Sequence, residues 1–118
     1  MNTVQIQAFI RGTVERLARS FVPERIVLFG SYAKGTARPD SDVDLLVIAN
    51  LAGDPAVHER RARHLVAGSF PRVDVVLCTP ADLAEARDVG SMFLLSAIES
   101  GVTVFDRPRV LREEGKPD

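Results

Sequence analysis

The stretch Leu28 to Val47, LFGSYAKGTARPDSDVDLLV, contains parts of two short apolar runs joined by a loop rich in glycine, serine, proline and charged residues. The runs, 25–29 and 43–48, are continuous and rich in strand-forming residues, the pattern of strands that are buried on both faces. The loop between them, 30–41, favours a turn with one helical turn after Gly30. The stretch therefore predicts two buried strands connected by a polar loop.

Outside this stretch, hydrophobic periodicity and turn residues predict further helices and strands. The predicted helices are 3–21, 55–67, one that starts at Pro80 with Thr79 as its N-cap, and 91–99; the predicted strands are a third buried strand, 73–78, and an edge strand, 102–105. This order of elements is typical of an α/β (α+β) domain with a small mixed sheet of three or four strands flanked by helices.

The domain limits follow from the same pattern. We expect one domain over residues 1–106, made of an N-terminal helix within 1–21 and a core over 22–106. The remaining residues, 107–118, read as a charged and frayed tail.

The composition excludes several classes of protein. The chain has 118 residues, with 15 basic and 16 acidic side chains and a net charge of −1. Such a balance gives no general attraction to nucleic acid or to an anionic membrane. No apolar run approaches the roughly 20 residues that span a bilayer, and the single cysteine, Cys78, cannot form an intrachain disulfide. We therefore expect a cytoplasmic protein.

Three acidic residues lie where the strands are otherwise apolar: Asp42, Asp44 and Asp74. Because side chains alternate along a strand, Asp42 and Asp44 point to the same face, and Asp74 joins them if the third strand lies beside the second. Two unit charges about 4 Å apart repel by roughly 4 kcal/mol at an effective dielectric of 20. Such a cluster binds protons or hard cations, and its oxygen ligands suit Mg²⁺ or Mn²⁺.

The loop after the first strand has the composition of a phosphate site. Gly30 permits close approach of a ligand to the backbone, free N–H groups at the following turn can bind phosphate, and Ser31 adds a hydroxyl donor. Lys34 and Arg38 can neutralise a polyphosphate. A phosphate site opposite a metal-binding acid pair is the arrangement that phosphoryl or nucleotidyl transfer requires.

Gly30-Ser31, ten intervening residues and Asp42-Val43-Asp44, followed by Asp74 in RVDVVL, resemble the signature of the nucleotidyltransferase superfamily related to DNA polymerase β, in its minimal (MNT) branch. The resemblance implies the mixed-sheet fold over about residues 22–105. It implies that Gly30 and Ser31 bind the triphosphate and that the three aspartates hold Mg²⁺, two ions in that family, with Mn²⁺ as a substitute. Asp74 would also orient or deprotonate the attacking hydroxyl.

The same resemblance implies a function. MNT antitoxins transfer AMP from ATP, with release of pyrophosphate, to a tyrosine of a helical HEPN toxin, so a type VII-like antitoxin is expected here. Two alternatives remain open. The protein could be a catalytically idle antitoxin that acts by binding only, or it could modify a small molecule or an RNA end with a separate acceptor-binding subunit. A homo-oligomer and a hetero-oligomer are both compatible with the sequence.

Structural roles compete with functional ones for several residues. Asp74 could be an acid paired with Arg72 on the same strand face, and Cys78 is expected to be a small core residue. His58 and His64 are expected at the surface. The apolar helix from Met92 to Ile98 is either buried on all sides or a partner surface.

Overall fold

The computed structural model describes residues 2–90 and 92–107. Its elements are α1 (Thr3–Phe21), β1 (Arg25–Phe29), α2 (Ser31–Lys34), β2 (Val43–Ile48), α3 (Pro55–Val66), β3 (Val73–Cys78), α4 (Pro80–Val89), α5 (Met92–Ser100) and β4 (Val102–Asp106). The strands form one four-stranded sheet in the order β3-β2-β1-β4. β2 pairs parallel with β3, whereas β1 pairs antiparallel with both β2 and β4. The predicted fold class, a mixed sheet flanked by helices, is confirmed, and the predicted bounds agree to within one residue.

Local signals in the sequence explain where the helices start. Asn2 caps α1 by accepting from the N–H of Gln5, whose side chain in turn accepts from the N–H of Asn2. Thr79 and Asp82 form the same reciprocal pair at the start of α4. Each pair satisfies two N–H groups that the helix itself leaves unpaired.

The sheet separates two apolar clusters. Val43, Leu45 and Val47 of β2 face the cluster that contains residues of α1 and α3. Leu46 and Ile48 face the other cluster, with Leu83 of α4 and Ala97 of α5. Alternation along β2 therefore places Asp42 and Asp44 on the α4/α5 side of the sheet.

The prediction that β3 is a strand buried on both faces is wrong. β3 lies at the sheet edge, where Asp74 is exposed and Val75, Val76 and Leu77 are only half-buried. The mostly apolar run VDVVLC reads the same at an edge as in the interior, because the number of neighbouring strands is set by distant parts of the chain.

The predicted tail lies outside the described residues except for Arg107. Among the helices that the structure describes, none is long and apolar enough to cross a membrane.

Gly101, between α5 and β4, tests how tightly this side of the core is packed. A Cβ there would overlap the carbonyl oxygen of Ala97 and would lie 2.8 Å from that of Leu28. Because backbone atoms cannot move aside as a side chain can, we expect Gly101→Ala to lower the free energy of unfolding by about 2 to 3 kcal/mol in urea denaturation.

Gly12→Ala is the matched control, because the nearest atom to its added Cβ is Arg16 Nη1 at 3.9 Å. Inside α1 it should stabilise the protein by about 0.5 to 1 kcal/mol. A Gly101→Ala variant as stable as the wild type would contradict the packing described for this site.

Candidate active site

The turn after β1 presents backbone N–H groups. Gly30 has φ 76° and ψ −155°, a conformation open essentially only to glycine. Its carbonyl oxygen accepts from the N–H groups of Ala33 and Lys34, both at 3.1 Å. The first N–H groups of a helix, here those of Ser31 and Tyr32, have no partner within the helix itself. This turn is thus suited to bind an anionic oxygen.

Asp44 lies against this turn. β1 and β2 are paired so that Phe29 is opposite Asp44, and a Cβ on Gly30 would overlap Asp44 Oδ2. With Asp44 in this position, only a glycine leaves room for the carboxylate, and any side chain would displace it. An anion bound at the turn would therefore lie next to Asp44 and would need a cation between the two negative charges.

The other acids join Asp44 through the sheet. The parallel register of β2 and β3 places Asp74 directly opposite Asp44. The condition set by the sequence, that the third strand lie beside the second, is met. Asp42 precedes Asp44 by two residues and belongs to the same face of β2.

The electrostatics of Asp44 reflect this crowding. Partial burial raises the pKa of Asp44, and the charges of Asp74 and Asp42 raise it further. All three causes disfavour the ionised carboxylate. A bound cation would remove the penalty that the two neighbouring carboxylates impose.

Arg72 makes an ion pair with Asp42, with 3.0 Å between Arg72 Nη2 and Asp42 Oδ2. The suggested pairing of Arg72 with Asp74 is therefore wrong, because the guanidinium reaches across to β2. This hydrogen bond raises the pKa of Arg72, with further contributions from the charges of Asp42 and Asp74. The Arg72 side chain is 74% exposed, so the pair adds little to stability.

The donor chemistry of the three aspartates fits a hard divalent cation such as Mg²⁺, because every ligand is a carboxylate oxygen. Across residues 2–90 and 92–107, no three Asp, Glu, His or Cys side chains already stand close enough together to hold an ion. Asp44 and Asp74 are in register, whereas Asp42 is engaged by Arg72. The metal site therefore stays a prediction, and Arg72 must yield the Asp42 carboxylate to complete it.

Two grooves meet at Phe93. The aspartate groove, about 620 Å³, runs from Asp44 and Asp74 along β3 to α3. The Gly30 groove, about 400 Å³, lies between the end of β1 and α5 and includes Lys34. Phe93 lines both. Lys34 thus shares a groove with Gly30, and its role in binding phosphate stays a prediction.

Arg38 is exposed and lines a different cavity, with Tyr32, Phe70 and Pro71. Its backbone closes a turn with Ser41 through bonds of 2.7 and 2.9 Å. The structure does not bring Arg38 into the grooves that contain Gly30 and the aspartates.

Sequence reasoning missed Phe29 and Phe93 as groove residues. Their rings meet edge to face, with centroids 5.8 Å apart. The sequence showed that α5 is apolar on nearly all sides. This feature indicated a role for the helix but did not identify Phe93 as the residue that lines the grooves.

Cys78 is buried and donates from Sγ to the carbonyl oxygen of Thr79, so it is a core residue as expected. Burial raises the pKa of the Cys78 thiol, and the charge of Asp82 raises it further.

His64 is exposed as predicted. The prediction for His58 is wrong, since its ring is half-buried and lies 2.6 Å from the carbonyl oxygen of Ala52.

Gly30→Ala and Gly35→Ala form a matched pair. Both glycines have φ 76°, but a Cβ at Gly35 meets nothing within 4 Å, whereas one at Gly30 overlaps Asp44. Gly35→Ala strains a left-handed backbone by about 1 to 2 kcal/mol, and Gly30→Ala strains it by up to about 3 kcal/mol because ψ is −155° there. Only Gly30→Ala should also displace the carboxylate, and we expect it to weaken binding of Mg²⁺ with AMP-PNP at least tenfold by calorimetry. Equal effects of the two variants would contradict this.

Asp44→Asn tests the crowding of charge. The raised pKa means that the folded protein holds this proton more tightly than the unfolded chain, so the ionised carboxylate destabilises the fold. The penalty is absent below the ordinary value of 3.8 and develops as pH rises through the raised folded pKa. In EDTA at pH 7 we expect the variant to melt above the wild type, by about 4 °C for each kcal/mol gained.

The same experiment has two internal checks. The difference in Tm should shrink as the pH is lowered toward 3.8, and Mg²⁺ should raise the Tm of the wild type but not of the variant. Asp40→Asn, an exposed acid in the loop before β2, should leave the Tm unchanged. If the wild type melted above Asp44→Asn at pH 7 without metal, the ionised Asp44 carboxylate would not destabilise the fold, and the prediction would be refuted.

Three solved structures resemble this chain. A toxin–antitoxin with AMP-PNP is 26% identical, with a TM-score of 0.55, and the match covers 82% of this chain and 73% of that one. A protein from Sulfolobus solfataricus, described as a "putative nucleotidyltransferase", is 20% identical, with a TM-score of 0.61 and coverage of 88% and 83%. A mutant of the toxin–antitoxin MntA-HpeT is 22% identical, with a TM-score of 0.52 and coverage of 82% and 73%. The last two resemblances concern the fold alone.

No curated protein matches the sequence. The family model described as "Nucleotidyltransferase domain" matches residues 10–92, which include the Gly30 turn and all three aspartates. On the strength of this match over most of its length, the chain belongs to the nucleotidyltransferase domain family.

Proposed function

We propose that the protein is a type VII-like antitoxin that transfers AMP from ATP to the hydroxyl group of a tyrosine in a helical HEPN toxin. The observation that carries the proposal is the contact between the Gly30 turn and Asp44, with Asp74 in register beside it. The resemblance to a toxin–antitoxin with AMP-PNP supports both the nucleotide and the partner. A cytoplasmic site of action is part of the proposal, because ATP is the donor and the single cysteine is free, as is usual in a reducing compartment.

The chain's own groups have distinct roles in binding ATP. The N–H groups of the α2 turn and the Ser31 hydroxyl bind triphosphate oxygens, and Lys34 adds positive charge at the same groove. Asp44 and Asp74, joined by Asp42 once Arg72 releases it, would hold the Mg²⁺ ions. When bound, Mg²⁺ neutralises the triphosphate and stabilises the attacking and leaving oxygens.

Asp74 is the proposed base. In the transfer step the acceptor oxygen attacks the α-phosphorus, the bond from that phosphorus to the pyrophosphate oxygen breaks, and the acceptor proton passes to the Asp74 carboxylate. Asp74 suits this role because it is exposed in the aspartate groove, where an incoming hydroxyl can reach it.

The aspartate groove offers a path for a macromolecular acceptor. Hydrogen bonds from Val43 N–H to the Arg72 carbonyl, 2.8 Å, and from Ala49 N–H to the Cys78 carbonyl, 2.9 Å, bracket the β2–β3 ladder. Because bonding residues alternate in a parallel ladder, Val75 and its alternating neighbours direct their backbone groups to the free edge. An extended segment of the partner could pair there with its hydroxyl at Asp74.

A second candidate is an idle antitoxin that acts by binding only. The observation that favours it is the Arg72–Asp42 ion pair, which occupies one of the three carboxylates in the described structure. This candidate requires neither metal nor ATP for neutralisation. Modification of a small molecule or an RNA end, with a separate acceptor subunit, differs from the main proposal only in the acceptor.

The double variant Asp42→Ala with Asp44→Ala separates these functions. We expect incubation of the wild type with Mg²⁺, ATP and a HEPN-type ribonuclease from the same operon to add AMP to the ribonuclease, measured by intact mass. The double variant should reduce transfer at least a thousandfold, because it removes two metal ligands, while complex formation persists. Asp88→Ala, an exposed acid on α4, is the control and should keep full transfer.

Two other outcomes would contradict the proposed function. Neutralisation by the double variant at the wild-type level would favour the idle antitoxin. No added AMP on a partner that does form a complex with the wild type would overturn protein adenylylation.

A further inference from the structure

Two large apolar side chains stand exposed on the wall of the Gly30 groove. Met92 is 77% and Phe93 is 55% exposed, although Ala97 on the same helix is 5% exposed and packed in the core. Isolated exposed apolar residues are ordinary, but these two are adjacent and line the groove that begins at the Gly30 turn. Because they lie beside the proposed triphosphate site, a ligand with an apolar face could cover them when it binds there.

The ring of Phe93 packs against a second aromatic ring. Phe29, the residue before Gly30, meets its ring edge to face at an interplanar angle of 85°. Such pairs are stabilising beyond the area they bury, which favours this orientation of the ring. A ring that is more than half exposed and held in this way is a preformed surface for a second aromatic system.

We propose that the Gly30 groove receives the nucleobase and that a purine stacks on Phe93, with Met92 packed against it. This inference rests on the proposed function, which puts the triphosphate of ATP at the Gly30 turn. The groove is continuous with that turn, and its volume, about 400 Å³, lies within the range of small-ligand sites.

The chemistry of the groove sets the expected specificity. Besides the aromatic and apolar residues, the described part of its lining contains Gly30, Lys34 and two serines, Ser96 and Ser100, and within residues 2–90 and 92–107 no carboxylate or amide side chain lines it. Ser100 Oγ donates to the Ser96 carbonyl at 2.7 Å, which ties it to its own helix. Stacking favours the larger purine over a pyrimidine and distinguishes adenine from guanine only weakly.

Isothermal titration of the full chain with two magnesium-loaded probes isolates the base. The probes are AMP-PNP and inorganic tripolyphosphate, which lacks the base and sugar. Because stacking on an aromatic side chain contributes about 1 to 3 kcal/mol per base, the wild type should bind AMP-PNP at least tenfold more tightly than tripolyphosphate. Phe93→Ala should lose most of this difference while its affinity for tripolyphosphate stays unchanged.

Three further measurements make the test specific. Phe93→Tyr keeps the aromatic face and should retain the preference. Phe70→Ala removes an aromatic side chain that is 78% exposed but lines the cavity of Arg38, so it should change neither affinity. CTP with Mg²⁺ should bind the wild type less tightly than ATP, whereas GTP should match ATP to within a few fold.

The outcomes separate this inference from the function on which it rests. A wild type that binds neither probe would overturn the proposed nucleotide site itself. A wild type that binds both, with the AMP-PNP preference intact in Phe93→Ala, would overturn the base site and leave the function standing. If that variant instead loses only its complex with the HEPN-type partner, Phe93 belongs to a protein-docking surface and the base proposal is refuted.

Discussion

The close packing of the Gly30 backbone on the Asp44 carboxylate determines the geometry of the candidate site. Antiparallel pairing of β1 with β2 puts the end of one strand against the second residue of the other, and a residue with a side chain at Gly30 would displace the Asp44 carboxylate. The turn that offers N–H groups and the carboxylate that attracts a cation are thereby held side by side. A triphosphate and a metal ion bound at these groups would be in contact with each other.

That arrangement is electrostatically costly in the protein alone. The pKa of Asp44 is raised by burial and by two neighbouring carboxylates, so the ionised site opposes folding. Arg72 offsets part of the charge by pairing with Asp42, yet it is exposed and can leave at small cost. Arg72 would thus be a replaceable counterion if the site binds Mg²⁺, as the proposed function requires.

The two grooves beside the site have different proposed roles, one in binding the acceptor and the other in binding the nucleotide. On one side the edge of β3 leads from Asp74 into the aspartate groove, of about 620 Å³. On the other, the groove beside Gly30 is walled by aromatic and aliphatic side chains of α5. Phe93 stands between them and contacts Phe29, which precedes the phosphate turn. Donor and acceptor would therefore approach the aspartates from different sides.

The sequence by itself determined the helices and strands, the mixed sheet and the pattern of Gly30, Asp42, Asp44 and Asp74, because periodicity, capping and spacing are local properties of the chain. Only the tertiary structure decided that β3 is an edge strand, that Arg72 pairs with Asp42, that Arg38 lies in a separate cavity and that Phe29 meets Phe93. Each of these depends on which distant segments become neighbours. Strand order and side-chain partners across the sheet follow from the packing of the whole domain, and an apolar run or a charged residue carries no local mark of them.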